Sequence, residues 1–108
     1  MKLPNEVNVS GINYRVSEVN QIEHDDANWG VTIYETHQIQ IKKSLDKERK
    51  RQIFIHEVLH AVFFESGYKE HDEEMIDRIS TTLAGTLKKQ GNSLNYLVLK
   101  IIFLYERL

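Results

Sequence analysis

The chain contains 108 residues, has no cysteine and carries a formal net charge of −2. This length provides for one hydrophobic core, so residues 1–108 are expected to form a single domain without a second substrate-binding lobe. The lack of cysteine excludes a disulfide scaffold and a cysteine-ligated zinc site, and the charge excludes a strongly basic protein.

The N-terminal part of the chain alternates apolar and polar residues. In residues 6–19 this alternation runs on either side of Ser10 and Gly11, which predicts two strands joined by a tight turn. Residues 29–41 repeat the pattern around a polar turn at 35–37 and predict a second hairpin. Four short strands ahead of helices predict an α+β fold in which a small antiparallel sheet packs against the helices.

Two helices are predicted to follow the strands. Ser44 or Asp46 can cap the first helix, and Gly67 can end it. The second helix is predicted from about Asp72 to residues 90–91. Its buried stripe consists of apolar residues at helical spacing, namely Ile76, Ile79, Leu83 and Leu87.

A third, C-terminal helix is predicted from a cap at Ser93 through Arg107. Its apolar stretch, residues 94–104, is shorter than the roughly 20 residues that cross a bilayer, so we expect no membrane segment. The apolar side of this helix is expected to pack on its own domain, with pairing to a second chain as the alternative. The N-terminal end has no apolar signal-peptide core, and we therefore expect a cytoplasmic protein.

The first predicted helix contains the pentad His56-Glu57-Val58-Leu59-His60, which has the spacing H-E-x-x-H. Residues four positions apart lie on one helix face, about 6 Å apart along the axis, so both imidazoles can reach one ion with Glu57 beside it. The surrounding residues are apolar on nearly every face, and burying three polar side chains without partners would cost several kcal/mol. One cation would satisfy all three, so the pentad predicts a zinc site.

A catalytic zinc site needs a third protein ligand and an open position for water. Glu73 is the preferred candidate because it falls near the edge of the buried stripe, whereas Glu74 projects nearly opposite that stripe. The alternatives are that Glu73 is an ordinary first-turn carboxylate, or that His71, in a short polar connection, is the ligand. Asp77, one turn after Glu73, is expected to accept the second ring N–H of a ligating histidine.

The predicted reaction is hydrolysis of an amide bond. Zinc held by His56, His60 and Glu73 would activate a water molecule and polarise the scissile carbonyl. Glu57 would take the proton of the water and hand it to the departing amine. A further side chain could donate a hydrogen bond to the oxyanion, and the sequence does not choose among Tyr34, Tyr68 and His71.

The pentad helix, with the short loop and the acidic segment 72–79 that follow it, resembles zincin metallopeptidases with a glutamate third ligand. Over about residues 29–90 the chain is similar to small phage- and prophage-encoded members related to the ImmA/IrrE group. The resemblance implies a cytoplasmic protein of a mobile element that cleaves a protein or peptide, with a transcriptional regulator as the substrate of some relatives. It also implies that His56, His60 and Glu73 are the ligands of zinc and that Glu57 is the general base.

Two other functions compete with this interpretation. In a non-catalytic binding module, zinc or another divalent ion would staple the helices, and a protein partner would bind the terminal helix or a sheet edge. Such a module has no use for Glu57 beside the ion. A nucleic-acid-associated protein would instead bind through a cluster of basic residues. The simpler interpretation of that cluster is the solvated start of a helix. The cluster consists of Lys42, Lys43, Lys47, Arg49, Lys50 and Arg51.

Overall fold

The computed structural model describes residues 3–22 and 27–88, in which four strands precede two helices. These elements are β1 (Glu6–Val9), β2 (Ile12–Val19), β3 (Gly30–Ile33), β4 (Gln38–Lys42), α1 (Lys47–Glu65) and α2 (Glu73–Lys88). The predicted α+β class with four strands is confirmed. The described part has two helices rather than three, because the third predicted helix, residues 93–107, lies outside the described residues.

The sheet is mixed, and the prediction of an antiparallel sheet was wrong. β1 pairs antiparallel with β2, and β3 pairs antiparallel with β4, but β2 and β4 run parallel. In the strand order β1-β2-β4-β3 the predicted antiparallel pairs β1–β2 and β3–β4 are present, but the parallel pairing of β2 with β4 joins them in one sheet, so they do not stand as two separate hairpins. Alternation of side chains has a period of two in both kinds of ladder, and it therefore does not reveal which strands pair or in which direction.

The hydrophobic core lies between the sheet and α1. It is formed by buried side chains of both elements, among them Val7, Tyr14, Ile39 and Ile41 from the sheet and Phe54, Ile55, Val58 and Ala61 from the helix. The Tyr14 hydroxyl donates a hydrogen bond of 2.6 Å to Glu65 Oε2, which joins β2 to the end of α1. None of the helices in the described ranges combines the length and the apolar character that crossing a bilayer requires.

Helix α1 has the capping residues at its two ends that the sequence indicates. Asp46, rather than Ser44, is the N-cap, and its side chain accepts the N–H of Arg49 at 2.8 Å. At the other end Gly67 has a φ of 101°, a conformation that glycine adopts without strain. The predicted end of the helix at this glycine is confirmed.

Helix α2 packs on α1 through a stripe that differs from the predicted one. Ile76 and Leu87 are buried as expected, but Ile79 is exposed, and Ser80 and Ala84 are buried. Small side chains allow two helix backbones to approach closely, so burial follows the contact with α1 rather than hydrophobicity alone. This packing brings the first turns of α2 against the middle of α1.

Several of the basic residues at the start of α1 have partners within the fold. Lys50 Nζ lies 2.7 Å from Glu18 Oε1, and an Arg51 guanidinium nitrogen lies 3.4 Å from Glu48 Oε2. The Arg49 guanidinium lies over the ring of Trp29, 4.9 Å from its centroid. The contacts of Lys50 with Glu18 and of Arg49 with Trp29 join the start of α1 to β2 and to the residue before β3.

Candidate metal centre

The two histidines of the pentad and Glu73 converge at the contact between α1 and α2. The Nε2 atoms of His56 and His60 lie 3.1 Å apart. Glu73, in the first turn of α2, places Oε1 3.2 Å from His60 Nε2 and Oε2 3.6 Å from His56 Nε2. These three residues form a group that could hold a metal ion, and they are the three ligands that the sequence predicts.

The spacing of these atoms fits a small tetrahedral cation. Bonds of about 2.0–2.1 Å in tetrahedral geometry separate neighbouring ligand atoms by about 3.4 Å. The separation of the two Nε2 atoms is 3.1 Å, and the two Glu73 oxygens lie 3.2 and 3.6 Å from the nitrogen that each meets, values around that distance. One ligand atom from each residue lies within 4.8 Å of the other two. Two imidazole nitrogens and a carboxylate are acceptors that repel one another at this range unless a cation or a proton lies among them.

The side of the cluster away from the core is open. The Glu73 side chain is 68 % exposed, whereas His60 is only 8 % exposed. A cleft of about 300 Å³ borders the cluster, and β3 forms its opposite wall. A ligand position on this side would be accessible to water and to a substrate.

Asp77 makes the contact that was predicted for it. Its Oδ1 lies 2.9 Å from His56 Nδ1, on the side of the ring that faces away from Glu73. An ionised carboxylate only accepts hydrogen bonds, so the ring proton of His56 is held at Nδ1. Nε2 of His56 is then unprotonated and directed at the cluster, as metal coordination requires.

The two rival ligands, Glu74 and His71, do not belong to this group of three residues. Glu74 is exposed and forms an ion pair with Arg78, with Oε1 2.7 Å from a guanidinium nitrogen. His71 contacts His60 at Nδ1, 2.7 Å from its own Nδ1, and so approaches the ring on the side opposite Nε2. Neither side chain joins His56, His60 and Glu73 in the group that could hold an ion.

Glu57 lies beside the cluster and is only 7 % exposed. The Thr32 hydroxyl, on β3, is 2.8 Å from Glu57 Oε1 and 3.0 Å from the Glu57 carbonyl oxygen. Burial raises the pKa of the Glu57 carboxyl, and the hydrogen bond from Thr32 and the nearby His56 oppose this shift. A carboxyl with a raised pKa exchanges protons closer to neutral pH, which suits a general base that later acts as an acid.

Gly30 sets the distance between β3 and α1. A methyl group at this position would overlap Ile53 Cγ2 and would lie 3.3 Å from both Glu57 Cγ and the Gln40 carbonyl oxygen. Only a residue without a side chain lets the strand lie this close to the helix. The roles of Gly30 and Thr32 have no signal in the sequence, because they depend on a contact between elements that are distant in the chain.

Replacing Gly30 by Ala is expected to destabilise the protein by about 1–3 kcal/mol, because the strand or Ile53 must move. Gly85 provides the matched control, since it lies within α2 and a methyl group there meets no atom of the described residues within 4 Å, apart from its chain neighbours and the backbone of its own helix. Gly85→Ala should stabilise the helix by about 0.5–1 kcal/mol. Urea unfolding of both variants measures the difference. Equal stability of the Gly30 variant and the parent would contradict the close packing of β3 on α1.

Tyr34 is the oxyanion-donor candidate whose side chain lines the cleft together with Glu57 and Glu73. Its ring stacks on Phe64, with centroids 4.2 Å apart. Burial, and then the charges of the two glutamates, raise the pKa of Tyr34 to about 12. The phenol therefore keeps its proton at neutral pH and is available as a hydrogen-bond donor.

The site thus combines candidate metal ligands from two helices with a carboxylate and a phenol that face a cleft beside β3. His56 and His60 come from α1, and Glu73 comes from α2. The distances between Glu73 and the two histidines follow from the packing of α2 on α1. Comparisons of the chain with protein-family models, with curated proteins and with solved structures found no match.

Proposed function

We propose that the protein is a zinc-dependent metallopeptidase of the zincin type. His56, His60 and Glu73 hold the ion, and Glu57 is the general base. The observation that supports this most directly is the convergence of two imidazole nitrogens and the two oxygens of the Glu73 carboxylate, with separations of 3.1–3.6 Å and a buried carboxylate beside them. A structural zinc site closes its fourth position with a further protein ligand, whereas this cluster borders a cleft.

The chemistry divides between the ion and Glu57. When bound, the ion supplies Lewis-acid activation of water and of the scissile carbonyl. Glu57 removes a proton from the water molecule while the water oxygen forms a bond to the carbonyl carbon of the substrate. The same carboxyl then gives that proton to the amide nitrogen as the C–N bond breaks, which yields a carboxylic acid and an amine. Thr32 holds the Glu57 carboxylate toward the cleft through its hydroxyl.

The position of β3 supports an extended peptide as the substrate. β3 pairs with β4 on one side, and no strand of the described part covers its other edge. Lys42 donates its N–H to the Trp29 carbonyl, so these two residues form a hydrogen-bonded pair of the β3–β4 ladder. Such pairs alternate with pairs that are not hydrogen-bonded, so the main-chain N–H and C=O groups of Gly30 and Thr32 point toward the open edge of β3. Both residues line the cleft, where an extended chain could add to the sheet.

The proposed substrate class rests on a resemblance of the sequence. The resemblance of the pentad helix and the acidic segment 72–79 to small phage- and prophage-encoded zincins favours a regulatory protein of a mobile element, and a transcriptional regulator is the first class of substrate to test. A segment of that regulator without stable structure would fit the open edge of β3, because strand addition requires an extended chain. The proposed place of action is the cytoplasm.

The test of the proposed function is hydrolysis of an unstructured protein by zinc-loaded full-length chain. Native mass spectrometry should find one zinc per chain, and casein cleavage should stop on chelation and return with added zinc. Manganese, cobalt and iron should be compared in the same reconstitution. Zinc binding without hydrolysis of casein or of a candidate regulator would favour the metal-stapled binding module. Absence of zinc would overturn the zinc-dependent peptidase, and absence of every divalent metal tested would overturn both functions.

A further inference from the structure

We propose that His71 is a positioning residue, which holds His60 in the tautomer that a zinc ligand requires. The inference rests on the proposed function, since the role of His71 is defined by a metal at Nε2 of His60. In this role His71 supports a metal ligand and does not bind the metal itself. His71 reaches no other member of the cluster and contacts His60 at Nδ1, the ring nitrogen on the far side from Glu73.

The direction of the hydrogen bonds follows from the acceptor at the end of the chain. His71 Nε2 lies 2.7 Å from the carbonyl oxygen of Tyr68, which can only accept. The proton of a neutral His71 ring is therefore at Nε2. Its Nδ1 is left with a lone pair, and this nitrogen is the one that lies 2.7 Å from His60 Nδ1.

His60 must then be the donor in its contact with His71. A neutral imidazole has one ring proton, and the contact places that proton at Nδ1 of His60. Nε2 of His60 is left unprotonated, 3.1 Å from His56 Nε2 and 3.2 Å from Glu73 Oε1. The hydrogen bonds thus run from His60 through His71 to the Tyr68 carbonyl, and they leave the lone pair of His60 directed at the metal position.

The end of α1 brings the Tyr68 carbonyl to this position. The N–H groups of Gly67 and Tyr68 bond back to the carbonyls of Phe64 and Phe63, each at 3.0 Å. This is the Schellman arrangement, which depends on the positive φ of Gly67 and turns the chain back on the helix. The turn thereby fixes the Tyr68 carbonyl within reach of a histidine only three residues later.

Aromatic neighbours fix the plane of the His71 ring. The ring lies edge to edge with that of His60 and nearly in its plane, with centroids 5.0 Å apart and an interplanar angle of 21°, as a hydrogen bond between the two Nδ1 atoms requires. Tyr34 and Phe63 meet it edge to face, at centroid distances of 6.1 and 5.7 Å. A ring packed on three sides loses little further freedom when it orients a ligand, which favours preorganisation of the site.

The two ligating histidines therefore have different supports. His56 donates to the carboxylate of Asp77, whereas His60 donates to a neutral imidazole. The cluster already has three carboxylates close by, those of Glu57, Glu73 and Asp77. A neutral acceptor at residue 71 orients the second ligand without adding a fourth negative charge beside them.

The test compares two substitutions of nearly equal size at residue 71. In His71→Asn the side-chain oxygen can replace Nδ1 as acceptor, whereas His71→Leu has no acceptor. We expect zinc binding to weaken about 10- to 100-fold in the Leu variant and to stay within about threefold of the parent in the Asn variant. Tyr68→Phe is the control, because only the main-chain carbonyl of Tyr68 takes part. Its zinc affinity should match that of the parent.

A spectroscopic readout separates orientation from general loss of structure. The ¹⁵N chemical shifts of His60 in metal-free full-length protein report which ring nitrogen has the proton. We expect the Nδ1–H form in the parent and the Asn variant, and loss of that preference in the Leu variant. An unchanged tautomer and unchanged zinc affinity in the Leu variant would overturn the role of His71. A parent that binds no zinc would overturn the proposed function, while the tautomer comparison would still test the hydrogen bond.

Discussion

Replacing Glu57 by Gln is expected to lower peptide hydrolysis by about 100- to 10,000-fold while the protein keeps its zinc. Gln has the shape of Glu, and its side-chain oxygen can still accept the hydrogen bond from Thr32, which is 2.8 Å in the parent. The amide cannot remove a proton from water, so the chemical step is lost. The ligand atoms of His56, His60 and Glu73 are unchanged, so zinc binding has no reason to fall.

The measurement pairs casein hydrolysis with zinc content in the same preparations. Glu74→Gln is the matched control, because Glu74 is exposed on α2 and pairs with Arg78 rather than with the cluster. It should keep both zinc and activity. Full activity in Glu57→Gln with zinc bound would contradict the role of Glu57 as base, whereas loss of zinc from that variant would contradict the separation of base from ligands.

The pentad could be identified from sequence because its geometry is local. Once residues 47–65 form a helix, the period of 3.6 residues places His56 and His60 on one face. The same reasoning on α2 placed Glu73 and Asp77 on the side that meets α1. Both make contacts with the pentad histidines in the structure, at 3.2–3.6 Å for Glu73 and 2.9 Å for Asp77.

The wall of the cleft could not be predicted in this way. Thr32 and Gly30 act through the contact of β3 with α1, and that contact exists because β4 pairs with β2 in parallel and leaves β3 at the sheet edge. Strand order is a long-range property, and alternation of side chains does not encode it. The burial of Ser80 and Ala84 in place of Ile79 has the same cause, since it depends on where α2 crosses α1.

His71 illustrates the intermediate case. Gly67 indicates the end of α1, and the structure confirms it, so the turn itself was predictable. The return of the chain to His60 was not, because it depends on how α2 docks after the turn. A histidine in a short polar connection is more often a surface residue, and composition alone gives no reason to expect its ring against that of His60.

Removal of a ligand is expected to have the largest effect on zinc binding. Structural zinc sites contribute about 10–16 kcal/mol through four ligands, so losing one of comparable strength corresponds to about 3 kcal/mol, or about 100- to 1000-fold weaker binding. We expect this loss in His60→Ala and in Glu73→Ala. Glu73 meets both histidines, with one oxygen 3.2 Å from His60 Nε2 and the other 3.6 Å from His56 Nε2, although most of its side chain is exposed.

Glu74→Ala makes the prediction for Glu73 specific. The two residues are adjacent on the first turn of α2, so both substitutions remove one negative charge near the start of the same helix. A purely electrostatic attraction for cations would weaken similarly in the two variants. Coordination by Glu73 requires that only Glu73→Ala loses zinc in native mass spectrometry and in titration with a zinc indicator. Loss of zinc in Glu74→Ala but not in Glu73→Ala would make Glu74 the third ligand. It would also require α2 to be rotated on α1, because Glu74 pairs with Arg78 in this structure.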